Sequence, residues 1–240
     1  MIDETTVLIG VGLLVGFVKT GLPAGGIFVP VLMALAFPAR ASVAILLPYL
    51  IVGDVIAVCL YRKKANLREV KRVFPWIFVG ILMGVCILGI VNEQLFKTLF
   101  GGLILALIAF DSTRSALRNT TFPTWAKRSL GVSAGVATAL ANAAGPLMAV
   151  YLLIMKLDKH AFMGTTAVLF CIVNISKVPF YASLGLFQLQ YVLLWLVSIP
   201  AILIGAFLGK LFVDKISQRT FSLLIRILTV VAGAILIGLI

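Results

Sequence analysis

The sequence predicts an all-α integral membrane protein made of two inverted-topology repeats, each a broken, re-entrant helix hairpin followed by three transmembrane helices. Three observations carry this. Apolar residues fill 62% of the 240 positions and charged residues 12%, with a mean hydropathy of +1.19, whereas soluble domains are nearer half apolar and a quarter charged. The apolar residues form continuous runs rather than alternating ones, which argues against a membrane β-barrel. The order of interrupted and uninterrupted runs also occurs twice along the chain.

The first repeat covers residues 1–112. It opens with an apolar segment at 5–37, interrupted at 19–26 by "KTGLPAGG", and continues with spans at 42–61, 73–91 and 95–110. A polar cytoplasmic connector follows at 113–128, within "DSTRSALRNTTFPTWAKR". The second repeat, 129–240, has its hairpin at 129–155, interrupted at 141–146, and spans at 161–183, 190–209 and 220–240. Laid over each other, "GLLVGFVKTGLPAGG" at 12–26 and "GVSAGVATALANAAG" at 131–145 align Gly12, Gly16, Ala24 and Gly26 with Gly131, Gly135, Ala143 and Gly145. Tyr61 falls near Tyr181 and Trp76 near Trp195. Apolar runs match easily by chance, so the shared break position and span order carry more weight than the letters.

Charge sets the orientation, because short cytoplasmic loops are enriched in Lys and Arg. Loop 62–72 holds Arg62, Lys63, Lys64, Arg68, Lys71 and Arg72 against Glu69, and the connector holds Arg114, Arg118, Lys127 and Arg128 against Asp111. Both are assigned to the inside, as are turn 156–160 and loop 210–219; the turn near Glu93 and the uncharged loop 184–190 are assigned to the outside. The second interrupted segment then starts and ends inside, and the first starts and ends outside. Residues 5–18 would make a helix of about 21 Å, too short for a hydrocarbon core of about 30 Å. Two hairpins therefore dip from opposite faces, and three crossings per half invert the second half. In the alternative each interrupted segment crosses once and the repeats are parallel; Arg40, placed outside in the hairpin reading, is the residue that strains it.

An ionisable group at membrane depth costs at least about 2.5–3.5 kcal/mol and has to be paired, wet or functional. Lys19, Asp54, Lys177 and Arg226 are the ones within apolar segments. Arg226 lies near a cytoplasmic boundary and is read as snorkelling. Lys19 sits beside Gly21, Pro23, Gly25 and Gly26, which break the helix. A restarting helix there offers free N–H groups and a partial positive charge, so lysine plus break reads as an anion site. Asn142, Gly145 and Pro146 supply the same break in the second half. Asn174 and Lys177 share one helix face. The expected binding set is Lys19 and Lys177 for charge, Thr20, Asn142 and the amides near Gly25, Gly26 and Gly145 as donors, and Asn174 to orient the site. Asp54 is read either as a coupling proton carrier or as the partner of a lysine. The bland counterpart is that Gly and Pro permit close packing and that both lysines snorkel to water.

The net charge of +12 lies in inter-span loops and signals orientation, not nucleic acid. No cleavable signal peptide is expected, since "MIDETTVLIG" carries acids where a basic region belongs. Cys59, Cys86 and Cys171 are unpaired in spacing and read as small core residues. His160 stands at a loop edge, with no nucleophile–base pair or metal cluster visible, so neither enzyme nor cofactor is expected. A channel, or a membrane subunit of a larger complex, remains the competing class. Glycines such as those in "GILMG" at 80–84 leave a homodimer possible.

Taken in order, "GLPAGGIFVPVL" at 21–32, "ANAAGPLMAVYLL" at 141–153 and "NISKVPFY" at 174–181 resemble the motifs of the sulfite exporter TauE/SafE family, with Pro23 and Ala24 standing where that family commonly has glycine. The resemblance covers nearly the whole chain. It implies transport of a small sulfur-containing anion, sulfite or an organosulfonate, across the bacterial cytoplasmic membrane, driven by the proton gradient.

Overall fold

The computed structural model describes residues 4–23, 26, 28–92, 95, 123–155, 157–217, 219–220 and 223. All but a few residues of the predicted spans 95–110 and 220–240, most of the connector, Gly25 and Arg226 lie outside these. Among the described residues the regular structure is all helix: α1 Glu4–Thr20, α2 Phe28–Ala36, α3 Ala39–Tyr61, α4 Leu67–Ile90, α5 Thr124–Ala141, α6 Gly145–Ile154, α7 Lys159–Ser183, α8 Val192–Val197 and α9 Ile199–Lys215. Among them α3, α4 and α7 are long and apolar enough to cross a membrane, and α8 with α9 makes a fourth if that pair, bent by 46°, is one span. The breaks fall where Gly and Pro predicted them. Helix lengths repeat as well: 17, 9 and 23 residues for α1 to α3 against 18, 10 and 25 for α5 to α7. The first arms, about 25–27 Å long at 1.5 Å per residue, exceed the expected half-membrane length.

Several boundaries differ from expectation for local reasons. Helix α4 begins six residues before the predicted 73, inside loop 62–72, because the Asn66 side chain accepts the Glu69 amide at 3.3 Å and Glu69 itself lies in the first turn. The predicted straight span 190–209 is bent at Ser198, where Pro200 contributes no N–H and the Ser198 hydroxyl turns back to the Leu194 carbonyl at 2.8 Å. Helix α9 then continues to Lys215, through much of predicted loop 210–219. Cys59 and Cys86 face outward, against the expectation of core positions; an apolar thiol suits a lipid-facing surface as well as a core.

Side-chain contacts give each helix a direction. Helices α1 and α3 run together: Gly53 faces Val15 and Lys19, and Tyr61 donates to the Thr20 carbonyl at 2.8 Å. Helices α1 and α9 run together, with Gly12 against Ser198, Gly16 against Ala206 and Gly21 against Gly209. Helices α4 and α5 do the same, with Gly131 against Trp76, Gly135 against Gly80 and Gly84 against Ala139. Helix α7 runs against α3, since Gly164 meets the Tyr61 carbonyl and Asn174 meets Asp54, and with α4, since Thr165 accepts the Asn66 amide and Phe180 meets Phe78. Thus α1, α3 and α9 point one way, and α4, α5 and α7 the other. One end of the molecule gathers loop 62–66, the start of α7 and the end of α9, where Lys159 donates to the Val213 and Ile216 carbonyls at 3.0 and 2.7 Å. The other gathers Phe37 against Tyr191 and brings Arg40 to the Val91 carbonyl at 3.3 Å. Arg40 is thus a cation at a helix C-terminus, a favourable place for positive charge on either side of a membrane.

Backbone-to-backbone approach at glycine holds the two tightest helix pairs. Gly80 and Gly84 of "GILMG" are packed there on α5 within the chain. The tyrosines that aligned in sequence do the same work. Tyr61 bonds the last carbonyl of α1, and Tyr181 bonds the Ala139 carbonyl in the last turn of α5 at 2.7 Å. These carbonyls have no intrahelical partner. Tyr61→Phe and Tyr181→Phe are each expected to cost about 1–3 kcal/mol by leaving a buried carbonyl unpaired, and denaturation in detergent should return similar values for the two.

Candidate functional site

Both helix breaks lead to one place. Helix α1 stops at Thr20, before Gly21 and Pro23. Helix α5 stops because Asn142 takes the left-handed conformation, φ 51° and ψ 26°, a geometry Asn tolerates better than most residues. Its amide closes onto the Thr138 carbonyl at 3.0 Å, and Pro146 follows in the first turn of α6, where a missing N–H costs little. The two breaks touch: a Cβ added to Gly145 would lie 3.4 Å from the Pro23 carbonyl.

Beside this contact lies a cavity of about 40 Å³, lined among others by Lys19, Gly26, Asp54, Gly145, Thr166 and Asn174. At about 10–15 Å³ per water-sized centre it has room for about three. Lys19, at the end of α1, reaches Asp54 of α3 at 2.6 Å, and Asn174 of α7 donates to the other Asp54 oxygen at 2.6 Å. Asp54 is fully buried and Lys19 is 13% exposed on its side chain. The Lys19 ammonium also lies 4.9 Å from the centre of the Phe170 ring, a further stabilising contact for a desolvated cation. Removing either charge would strand the other in a low-dielectric interior.

Lys177 takes a different place. It is fully buried behind the second break and donates to Asn142 Oδ1 at 2.5 Å, to Thr138 Oγ1 at 3.1 Å and to the Thr138 carbonyl at 3.3 Å. Three acceptors match the three N–H groups of an ammonium. The Asn142 amide nitrogen in turn donates to the Val43 carbonyl at 2.9 Å. Lys177 and Asn142 therefore hold the left-handed turn in shape, with the Lys177 donors directed to the break and one Asn142 amide hydrogen left over at the cavity it lines.

The structure brings Lys19, Gly26, Asn142, Gly145, Asn174 and Asp54 to one cavity, and puts Lys177 one layer behind it. It does not bring Thr20 there. One residue past Lys19 is a 100° turn of the helix, and Thr20 is buried against α9 with its hydroxyl 2.8 Å from the Ala206 carbonyl and 3.0 Å from that of Gly16. Gly25 lies outside the described residues. Thr166 was missed: it is 5% exposed, its hydroxyl lacks a hydrogen-bond partner among the described residues, and it lines the cavity. An isolated threonine in an apolar span carries no signal of its own; its value comes from the helices around it.

The cavity wall thus carries the Lys19–Asp54 pair, with Lys177 one layer behind it. No curated protein and no solved structure matches the chain. The family model described as sulfite exporter TauE/SafE matches residues 8–236, nearly all of the sequence whose breaks and lysines build this cavity, and the chain belongs to that family of membrane transporters.

Proposed function

We propose that the protein is a secondary transporter that exports a small sulfur oxyanion, sulfite before bulkier organosulfonates, across the bacterial cytoplasmic membrane by alternating access. The observation that carries this reading is the cavity at the junction of the two breaks, with the Lys19–Asp54 pair on its wall. The anion exchanges for the Asp54 carboxylate at Lys19 and takes further hydrogen bonds from Asn174, Thr166 and the backbone beside Gly26 and Gly145. Lys177 and Asn142 position the second break.

The repeats are inverted in this proposal and the interrupted segments are re-entrant. Support comes from the helix directions, since α1 and α3 point one way and their counterparts α5 and α7 the other. Because α1 and α3 run together, α2 has to return toward the face where α1 began. Inverted repeats whose broken helices meet near the midplane are a common transporter plan, and rocking one repeat on the other opens the shared site to each side in turn.

Charge count supports proton coupling through Asp54. The Lys19–Asp54 pair is neutral as a unit, so a bound anion adds negative charge, which a proton on Asp54 offsets while freeing Lys19. A membrane potential negative inside favours outward anion movement by about 2.3 kcal/mol per charge per 100 mV. In reconstituted vesicles, sulfite flux is expected to saturate with concentration and to respond to an imposed pH gradient, and Asp54→Asn should remove the pH response. Flux that rises without saturation would replace the transporter with a channel, and an unchanged pH response in Asp54→Asn would remove Asp54 from the coupling.

A further inference from the structure

A second cavity, of about 410 Å³, opens between the second and third turns of α4, the start of α5 and the side of α6, toward the end of the molecule that holds basic loop 62–66. Its walls include Arg72, Trp76, Thr124, Lys127, Arg128 and Tyr151. We propose that this cavity binds the phosphate of an anionic phospholipid headgroup, with the acyl chain lying along the outer face of α4.

The charges there are arranged for an external anion. Glu69 is 7% exposed and already fully engaged: Arg72 bonds one oxygen at 2.9 Å and the Tyr151 hydroxyl donates to the other at 2.8 Å. This spends the carboxylate on joining α4 to α6 and, among the described residues, leaves most donors of the Arg72 guanidinium unused. Lys127 and Arg128 have no carboxylate within ion-pair distance among the described residues. The Arg128 guanidinium lies over the Trp76 ring, 4.8 Å from its centre. That contact fixes its plane while its edges stay available for a two-pronged bond to an oxyanion. Helix α5 starts here with Pro123 as its N-cap, which makes no side-chain cap, so its first amides and the positive end of its dipole also face this region.

The same helix face explains why the phosphate comes from a lipid. Arg72, Trp76, Val79, Met83, Cys86 and Ile90 follow one another at helical spacing on α4, and the last four are exposed. A headgroup site at the polar end therefore continues into an apolar track about a helix-length long. Basic pockets between transmembrane helices on the cytoplasmic side bind headgroups in this way.

The test compares purified wild type with Lys127→Gln/Arg128→Gln in neutral detergent, titrated with phosphatidylglycerol, phosphatidylcholine or inorganic phosphate, and read by thermal unfolding and by lipid retained in native mass spectrometry. Phosphatidylglycerol is expected to raise the wild-type midpoint and phosphatidylcholine to do so much less. The double variant should bind phosphatidylglycerol about tenfold to thirtyfold more weakly, from two charges near a membrane surface, while its response to sulfite stays as in wild type, because neither residue lines the small cavity. Arg128→Lys with native Lys127 should retain most of the effect, which guards against a folding defect. Equal retention of phosphatidylglycerol by the double variant would overturn the site. A shift of the same size from inorganic phosphate alone would overturn the lipid assignment, leaving a free-anion site.

Discussion

Lys19→Ala is expected to abolish sulfite-dependent stabilisation and sulfite flux together, and to destabilise the protein by about 3–5 kcal/mol. The second loss follows from burial. Asp54 is fully enclosed, its nearest cation is the Lys19 ammonium at 2.6 Å, and removing that partner leaves a desolvated charge whose one remaining hydrogen-bond donor among the described residues is the Asn174 amide. Folding and function are separated by the double variant Lys19→Met/Asp54→Asn, which replaces the pair by neutral groups of similar size. It should regain most of the lost stability and still show no shift with sulfite, measured by thermal unfolding against a concentration series in which bound ligand stabilises by mass action. If sulfite still stabilises the double variant as it does wild type, the anion does not meet Lys19 and the proposed site is wrong.

Gly135→Ala is expected to cost at least about 3 kcal/mol and to leave little folded protein, although it adds a single methyl group. A Cβ at Gly135 would run into the Ile77 carbonyl and lie 2.7 Å from the Gly80 Cα. Both obstacles are backbone, so neither can turn aside as a flexible side chain would, and α4 and α5 have to separate along their length. The repeat makes the same claim at Gly16, where the added carbon would meet the Ile202 carbonyl and lie 2.7 Å from the Ala206 nitrogen. Gly10→Ala is the contrast: nothing lies within 4 Å of the place its Cβ would occupy, and alanine there removes a helix penalty of up to about 1 kcal/mol. Unfolding midpoints of the three variants should rank Gly10→Ala at or above wild type and the other two far below it.

These glycines also show how far letters alone reach. Gly12 and Gly16 were aligned with Gly131 and Gly135 as a sign of duplication, and in three dimensions each pair lies on a helix-helix seam. What they pack on was not legible: α1 uses a helix from the other half, α9, and α5 uses α4 in the same crossed fashion. Arg40 was the weak point of the topology by charge counting, because that rule weighs sequence position and not hydrogen bonds. Its guanidinium meets the carbonyl end of α4, so helix-end electrostatics accounts for it.

Composition and spacing by themselves determined that the chain lives in a membrane, where its helices break, and that Lys19, Asp54 and Lys177 are set at depth. Each of these is local or cumulative: apolar runs add up, Gly and Pro act on their own backbone, and a buried charge is conspicuous wherever its span lies. The tertiary structure alone decided the pairings. It joined Lys19 to Asp54, set Lys177 behind Asn142, turned Thr20 away toward α9 and turned Thr166 inward. Those outcomes depend on the rotation of each helix about its own axis, and at 100° per residue one position separates a group facing the cavity from a group facing another helix.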